Sequence, residues 1–228
     1  MFAFSSDCLK NGPERLFSLF ADVFKSFLIH SNIPVFLLLA TLVPIIKNKM
    51  GSISSSKNYR SIAISSLILK IFDWIIIKLF GEKLLLDDLQ FAYQEGASTS
   101  MCTWAVMETI GYFLRNGSEV FTCQTDMTKA FDFVRHSLLF LKLLKANLSK
   151  IFIRLLIIIY KFQFANVRWN GFFSSVFSLC NGVRQGQILS GILYCFYVNN
   201  LFSLLRRRTT GCWVNNNYHG MFGYSDDN

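Results

Sequence analysis

Apolar residues recur every three or four positions in several stretches of this chain, a spacing that places them on one face of a helix. The first such stretch follows Asn11 and keeps this spacing up to Phe27. Serines that can cap a helix stand before two later stretches, and a glycine follows each of these. The periodicity predicts six helices, over residues 11–27, 66–80, 98–117, 137–145, 149–160 and 189–205.

Other stretches are rich in β-branched and aromatic residues, which favour strands. Residues 37–46 are predicted to be extended and precede a polar loop, and residues 120–125 form a predicted strand that ends at Asp126. Two hairpins are predicted, one from residues 166–170 and 172–179 around Gly171, the other from residues 211–215 and 221–224. Helices and strands mix without a regular βαβ order, so the predicted fold class is α+β.

The composition indicates a chain that can fold around a sizeable core. Hydrophobic residues make up 52% of the 228 residues and charged residues only 16%, which excludes a disordered protein. With 3 prolines and 13 glycines, collagen-like and linker-like classes are excluded as well. Few charges, with a formal net charge of +9, on so apolar a chain fit either a membrane protein or a nucleic-acid binder cut from something larger.

Two stretches without Asp, Glu, Lys or Arg, residues 26–46 and 185–205, raise the question of membrane insertion. A spanning helix needs about 20 predominantly apolar residues. Polar residues interrupt both stretches, so core segments are preferred to membrane spans, and residues 1–10 do not resemble a signal peptide. Six separated cysteines without a CxxC pair favour reduced thiols over a zinc site, and we expect an intracellular protein.

Three carboxylates stand at the ends of predicted strands. Asp126 follows one strand, and Asp226 and Asp227 follow the last predicted strand, a hundred residues later. If the fold brings them together, such a set suits two hard divalent cations in phosphoryl transfer. The spacing alone also fits an ordinary turn, since the chain has a second Asp-Asp pair at Asp87 and Asp88.

Three segments around these carboxylates occur in order: TDMTKAFD at 125–132, NGVRQGQILS at 181–190 and YSDD at 224–227. They resemble the first three palm motifs of reverse transcriptases and are most similar to those of non-LTR (LINE-type) retrotransposons. Upstream, VPIIK at 43–47, NYRSI at 58–62, SS at 65–66 and the stretch 90–99 resemble the finger segments of the same family. The resemblance covers residues 33–227.

This resemblance implies a right-hand polymerase fold of fingers and palm, in which helices flank an antiparallel palm sheet. It implies an RNA-directed DNA polymerase that binds an RNA template, a DNA primer and dNTPs, with no membrane. The implied cofactors are two Mg²⁺ ions, or Mn²⁺, held by the catalytic carboxylates Asp126, Asp226 and Asp227. The other implied roles are dNTP contacts by Lys47 (or Lys49), Arg60, Phe131, Gln185 and Gly186, and a weak nucleic-acid contact by Arg184; Asp132 is assigned no metal.

The resemblance also predicts how the chain is divided. An N-terminal helical segment covers residues 1–32, a fingers-like region 33–118 and an incomplete palm-like region 119–228, all within one domain. The thumb would follow Asn228 and an endonuclease would precede the fingers, so we expect weak or no activity from this chain alone. Gly191 stands where the family commonly has proline. Two alternatives stay open: a non-catalytic nucleic-acid-binding relic and, less favoured, a membrane protein.

Overall fold

The structure is a computed structural model that describes residues 6–208 and 211–225. These residues form two compact units. The first contains residues 6–83 and 135–190, and the second contains residues 84–134, 191–208 and 211–225. The boundaries expected after residues 32 and 118 come from the family resemblance, whereas these units are defined by contacts within the fold. Those boundaries therefore stay predictions.

Helices lie close to the positions that the apolar periodicity predicts. Ser66 and Ser98 are the caps of two of them, because their side chains accept hydrogen bonds from Leu69 N and Met101 N. The described residues form nine α-helices: α1 (Ser6–Lys10), α2 (Glu14–His30), α3 (Val35–Leu38), α4 (Leu67–Phe80), α5 (Thr99–Arg115), α6 (His136–Lys145), α7 (Lys150–Lys161), α8 (Ile188–Val198) and α9 (Asn200–Arg206).

Strands complete an α+β mixture, as the sequence predicts. The described strands are β1 (Leu39–Ile46), β2 (Tyr59–Ile64), β3 (Phe164–Trp169), β4 (Phe172–Phe173), β5 (Phe177–Ser178), β6 (Trp213–Val214) and β7 (Asn217–Tyr218). The sequence pattern does not predict β2, because Arg60 and Ser61 interrupt the alternation of polar and apolar residues that marks a half-buried strand.

The sheet of the first unit has the order β2-β1-β3-β4, with β5 also paired to β3. β1 is antiparallel to β2, from Thr41 opposite Ile64 to Ile46 opposite Tyr59, and parallel to β3. The predicted hairpin at Gly171 is confirmed, since β3 and β4 are antiparallel and Asn170 and Gly171 take positive φ angles of 47° and 84° between them.

The core of the first unit is built from the apolar faces of α2, α4 and α7. The Phe72 ring of α4 stacks on Phe24 at 5.4 Å between centroids and meets Phe27 edge-on at 5.5 Å. Phe72 and, on α7, Phe152 are completely buried. Burying each such ring contributes roughly 1.5–3 kcal/mol, so this aromatic cluster is a main source of the unit's stability.

In the second unit, short backbone contacts take the place of a large sheet. Gln90 forms a parallel β-bridge with Gly223, with hydrogen bonds from Phe91 N to Gly223 O and from Gly223 N to Leu89 O, both 2.8 Å. Buried side chains of α8 and α9, among them Tyr194 and Phe202, supply the apolar interior. None of the residues of α5 is buried.

The predicted strand over residues 120–125 is wrong. These residues form no regular strand, and Phe121 is 91% exposed. Asp126 itself takes part in an isolated β-bridge. β-branched and aromatic residues favour a strand only when a neighbouring strand completes the hydrogen-bond ladder, and this segment has no such ladder within the described residues.

The second predicted hairpin forms with a different partner. Residues 213–214 pair with 217–218, while residue 223 pairs with Gln90. Asn215 and Asn216 both take positive φ angles, 47° and 68°, which suits a two-residue hairpin turn. Local turn chemistry therefore closes the hairpin before residues 221–224 can join it.

The predicted helix over residues 189–205 is divided at Asn199 into α8 and α9. Taken together as Ile188–Arg206, it is the helix among the described residues that is long and apolar enough to cross a membrane. Its most apolar stretch of 18 residues is 44% buried inside the protein, and the core helix of a folded protein can be equally long and apolar. This helix is therefore weak support for a membrane span.

Candidate active site

Lys47, directly after β1, and Arg60, on β2, lie at one end of the β1–β2 pair. Arg60 is opposite Ile45, and Lys47 N continues the ladder by donating to Asn58 O at 2.8 Å. Because positions 45 and 47 share one face of a strand, Lys47 lies diagonally across from Arg60. Both residues are exposed, as is the alternative Lys49. Two exposed cations in this position can attract a phosphate group.

Residues 182–187, here called the motif loop, are fixed against the end of β2. Ala63 N donates to Gln185 O at 3.2 Å, and Gln187 Nε2 donates to Ser65 Oγ at 3.2 Å. At its start, the carbonyl oxygen of Gly182 lies 2.7 Å from His136 Nε2. Gln185 and Gly186, two predicted dNTP contacts, are therefore carried by a loop with anchors on both sides.

Gly186 has both a backbone angle and a neighbour that disfavour a side chain. Its φ is +102°, and an added Cβ would lie 3.2 Å from Ala63 O. Left-handed backbone costs a non-glycine residue roughly 1–2 kcal/mol. The backbone angle and the nearby carbonyl therefore account for a glycine at residue 186, independently of any contact with a nucleotide.

We expect Gly186→Ala to lower the free energy of unfolding by about 1 kcal/mol more than Gly171→Ala, as measured by urea denaturation. Gly171 is a matched control, because its φ is also positive, +84°, but nothing lies within 4 Å of its added Cβ. Both variants share the backbone cost, and only Gly186→Ala pushes on the Ala63 carbonyl. Equal losses would contradict close packing of the motif loop on β2.

Arg184, the predicted nucleic-acid contact, is buried at 4% exposure. Its Nη2 donates to Leu38 O, and its Nε and Nη1 have no hydrogen-bond partner among the described residues. Burial lowers the pKa of Arg184 to about 10, while Tyr160 and Asp73 act in the opposite direction. This position gives no support to a nucleic-acid contact and instead makes Arg184 a residue that fastens the motif loop to the end of α3.

Asp73 of α4 is the charged neighbour of Arg184 and is 3% exposed. Burial raises the pKa of Asp73 to about 7, although Arg184 and Lys70 partly counter the shift. Its Oδ2 has no hydrogen-bond partner within the described part of the chain. Sequence reasoning missed Asp73, because one acid on an apolar helix resembles an ordinary surface position.

In the second unit, Asp126 is exposed, and its carboxylate has no hydrogen bond or ion pair with another described residue. The chain then turns sharply: Lys129 has a φ of 54°, and Asp132 N donates to Lys129 O at 2.9 Å. The oxygens of Asp126 are therefore open to an outside ligand.

Phe131 follows in the same turn and is partly exposed. Its ring stacks on Tyr194 of α8, with centroids 4.9 Å apart and planes at 20°. Tyr194 is 1% exposed, and its hydroxyl donates to Met127 Sδ at 3.2 Å. Tyr194 thus holds one face of the Phe131 ring in place. A ring held in this way can pack against a flat or sugar-like ligand.

Asp226 and Asp227 lie outside the described residues. The residue before them, Ser225, is described, and its φ of 65° lies in the left-handed region. Ser225 N donates to Gln90 Oε1 at 2.9 Å, and Gln90 Nε2 donates to Ser225 O at 3.4 Å. Sequence reasoning named Gln90 only as part of a resembling segment, because nothing local in the sequence signals a contact with a residue 135 positions away.

Gly191, a departure from the family pattern, has a physical reason in the second unit. The Tyr93 ring fills the place where a side chain at residue 191 would stand. Tyr93 itself has a φ of 59°. A proline or any other side chain at this position would therefore collide with Tyr93.

A metal site needs several ligating side chains close together, and the structure describes residues 6–208 and 211–225. Within that part of the chain, no three His, Cys, Asp or Glu side chains come together as a metal site. Of the three predicted carboxylates, Asp126 is the one that the structure describes. As an exposed hard oxygen ligand without a partner among the described residues, it fits a Mg²⁺ ion.

A family model for reverse transcriptase (RNA-dependent DNA polymerase) matches residues 46–228. The chain belongs to the reverse transcriptase family. A comparison with curated proteins found no match. The match contains Lys47, Arg60, Asp126, Phe131, the motif loop and both terminal aspartates.

Family membership confirms the coarse prediction of a reverse transcriptase domain with mixed helices and sheet. Reverse transcriptases generally use divalent metal ions and bind an RNA template, a primer and dNTPs. The roles of individual residues, the two-metal arrangement and the type of element stay predictions.

Proposed function

We propose that this chain forms the fingers and palm of a reverse transcriptase from a non-LTR (LINE-type) retrotransposon. The observation that carries the proposal is the family match over residues 46–228, which contains the three motifs in the family's order. The reaction is transfer of a nucleotide from a dNTP to the 3′-hydroxyl of a primer on an RNA template. Because nucleic acids and dNTPs are found inside cells, we also propose an intracellular location.

Asp126, Asp226 and Asp227 would hold two Mg²⁺ ions, or Mn²⁺. Bound there, the ions would activate the hydroxyl that attacks the α-phosphate and neutralise charge on the pyrophosphate that leaves. The open carboxylate of Asp126 supports this assignment, since no protein group competes for it among the described residues. The protein's own contribution is then positioning and electrostatics, with no covalent intermediate.

The remaining predicted residues would place the dNTP. Lys47 and Arg60 would contact the triphosphate, and their diagonal placement on one face of the β1–β2 pair supports a shared role. Gln185 and Gly186 would pack over the nucleotide, where the absent side chain of Gly186 allows close backbone approach. Phe131 would pack against the sugar and reject a 2′-hydroxyl, a role that its rigid stacking on Tyr194 supports.

Primer extension on poly-rA/oligo-dT with Mg²⁺ tests the proposed function directly. We expect the wild type to extend the primer weakly and Asp226→Ala to show no extension above background, because a metal ligand is lost. Equal signals from the two proteins would contradict catalysis. If an RNA/DNA duplex still bound, with an affinity that fell steeply with salt, the non-catalytic alternative would replace it.

A further inference from the structure

Gln90 is a completely buried polar residue whose side chain holds the backbone immediately before the Asp226–Asp227 pair. Its Oε1 accepts hydrogen bonds from Ser225 N at 2.9 Å and from Ala92 N at 3.2 Å. Its Nε2 donates to Ser225 O at 3.4 Å. One amide group therefore contacts both polar backbone atoms of the same residue, Ser225.

The residue held in this way is in a strained conformation. The φ of Ser225 is 65°, a region that L residues other than glycine enter at an energetic cost. Ser225 is also buried, at 9% exposure, so water cannot replace the amide of Gln90. Strained residues persist where the surroundings fix them, and they concentrate at functional sites.

The two hydrogen bonds between the Gln90 side chain and the Ser225 backbone are here called the clamp. Covalent geometry connects the clamp to the predicted metal ligands. The carbonyl of Ser225 belongs to the planar peptide that joins Ser225 to Asp226. The contacts with Ser225 N and O therefore hold the last described residue before the two predicted metal ligands.

Gln90 is itself held by a network in the second unit. Gln94 Nε2 donates to Gln90 O, and Leu89 N donates to Asp87 Oδ1 at 3.1 Å. The carboxylate of Asp87 forms an ion pair with Arg206 of α9, with Oδ1 and Nη2 2.7 Å apart. The backbone of Asp87 is held as well, because Asp87 N donates to Asn199 Oδ1 at 2.7 Å. Hydrogen bonds and an ion pair within the second unit therefore hold the segment that carries Gln90.

We propose that Gln90 is a positioning residue for the Asp226–Asp227 pair, acting by holding Ser225 in its left-handed conformation. This inference rests on the proposed function, since it assigns Gln90 a part in the same reaction. Gln90 does not touch substrate or metal ions in this role. It determines where the chain places the two carboxylates.

The variant that tests this is Gln90→Met, which keeps the length of the side chain and removes both contacts with Ser225. The backbone bonds between residues 89–91 and Gly223 do not use the Gln90 side chain, so the bridge is retained. Gln163→Met is the matched control, because Gln163 is also buried, at 2% exposure, and lies in the first unit.

Two measurements on the full chain follow. In NMR-detected hydrogen exchange, we expect the Ser225 amide to exchange at least tenfold faster in Gln90→Met, while His219 N, bonded to Cys212 O at 2.7 Å, keeps its rate. In primer extension, we expect at least a tenfold lower kcat in Gln90→Met than in Gln163→Met. Adding Ser225→Gly to Gln90→Met should restore kcat at least threefold, because glycine adopts positive φ without the cost.

Different outcomes test the role of Gln90 and the proposed function. An unchanged exchange rate at Ser225, an equal kcat in both Met variants or no rescue by Ser225→Gly would overturn the role of Gln90. A wild type that extends no primer would refute catalysis by this chain and with it the positioning role. The exchange rates would then show whether Gln90 holds Ser225 as a purely structural contact.

Discussion

Asp126→Asn is expected to lower Mg²⁺-dependent primer extension by roughly a thousandfold or more, which corresponds to the several kcal/mol that metal ions contribute to such reactions. Asparagine has the same shape but lacks the negative charge and one of the ligand oxygens. Asp126 is exposed and its carboxylate makes no hydrogen bond to another described residue, so the change removes no side-chain contact from the described fold. The thermal unfolding midpoint of Asp126→Asn should therefore equal that of the wild type.

Asp132→Asn is the control for this experiment. Asp132 lies in the same turn, is also exposed and is assigned no metal. We expect its primer extension to stay within about threefold of the wild type, since a surface charge in this position acts only through screened electrostatics. Comparable activity of Asp126→Asn and Asp132→Asn would show that the two carboxylates are equivalent and that Asp126 has no special role.

Local signals in the sequence predict most helices of this fold. Ser66 and Ser98 accept the capping hydrogen bonds that their positions suggest, and the helices after them begin at the next residue. The turn at Gly171 likewise needs the positive φ that glycine supplies. Caps, periodicity and turn residues act over a few positions, so a single sequence contains the information.

Predictions fail where the outcome depends on partners distant in the chain. Residues 120–125 have strand-forming side chains, yet they have no ladder among the described residues. Gly223 pairs with Gln90 rather than with the neighbouring hairpin, whose turn is already closed by Asn215 and Asn216. Strand pairing across more than a hundred residues leaves no periodic trace in either segment.

The candidate site shows the same division. The motifs identify Asp126, Gln185 and Gly186 by residue type and order. They do not show that Arg184, inside the same motif, turns into the interior and donates to Leu38 O. An arginine beside a glutamine, with a glycine two positions away on each side, resembles a surface loop residue, and only its packing against α3 and α4 decides otherwise.

The buried acid beside this arginine leads to the second large effect, a pH dependence of stability. The pKa of Asp73 is about 7 in the folded protein, against an ordinary value of 3.8, chiefly because burial disfavours the charged form. Between these two values the folded protein retains a proton that the unfolded chain has lost. Asp73 therefore makes the folded state less stable as the pH rises from about 4 to 7, and the full penalty is present above pH 7.

We expect Asp73→Asn to remove this dependence. Relative to the wild type, its free energy of unfolding should rise by about 3 kcal/mol between pH 5 and pH 8, since each unit of pKa shift corresponds to about 1.4 kcal/mol. Urea denaturation of both proteins at the two pH values measures the change. The two free-energy differences, at pH 5 and at pH 8, are subtracted from each other, so any effect of the substitution that does not depend on pH, such as a change in side-chain packing, cancels.

Asp22→Asn provides the control, since Asp22 lies exposed on α2 of the same unit and the substitution makes the same chemical change. Its stability relative to the wild type should be nearly the same at pH 5 and pH 8. A pH-independent difference for Asp73→Asn would mean that Asp73 stays ionised in the folded protein. In that case the attraction of Arg184 would outweigh burial, and the two residues would form a buried ion pair beneath the motif loop.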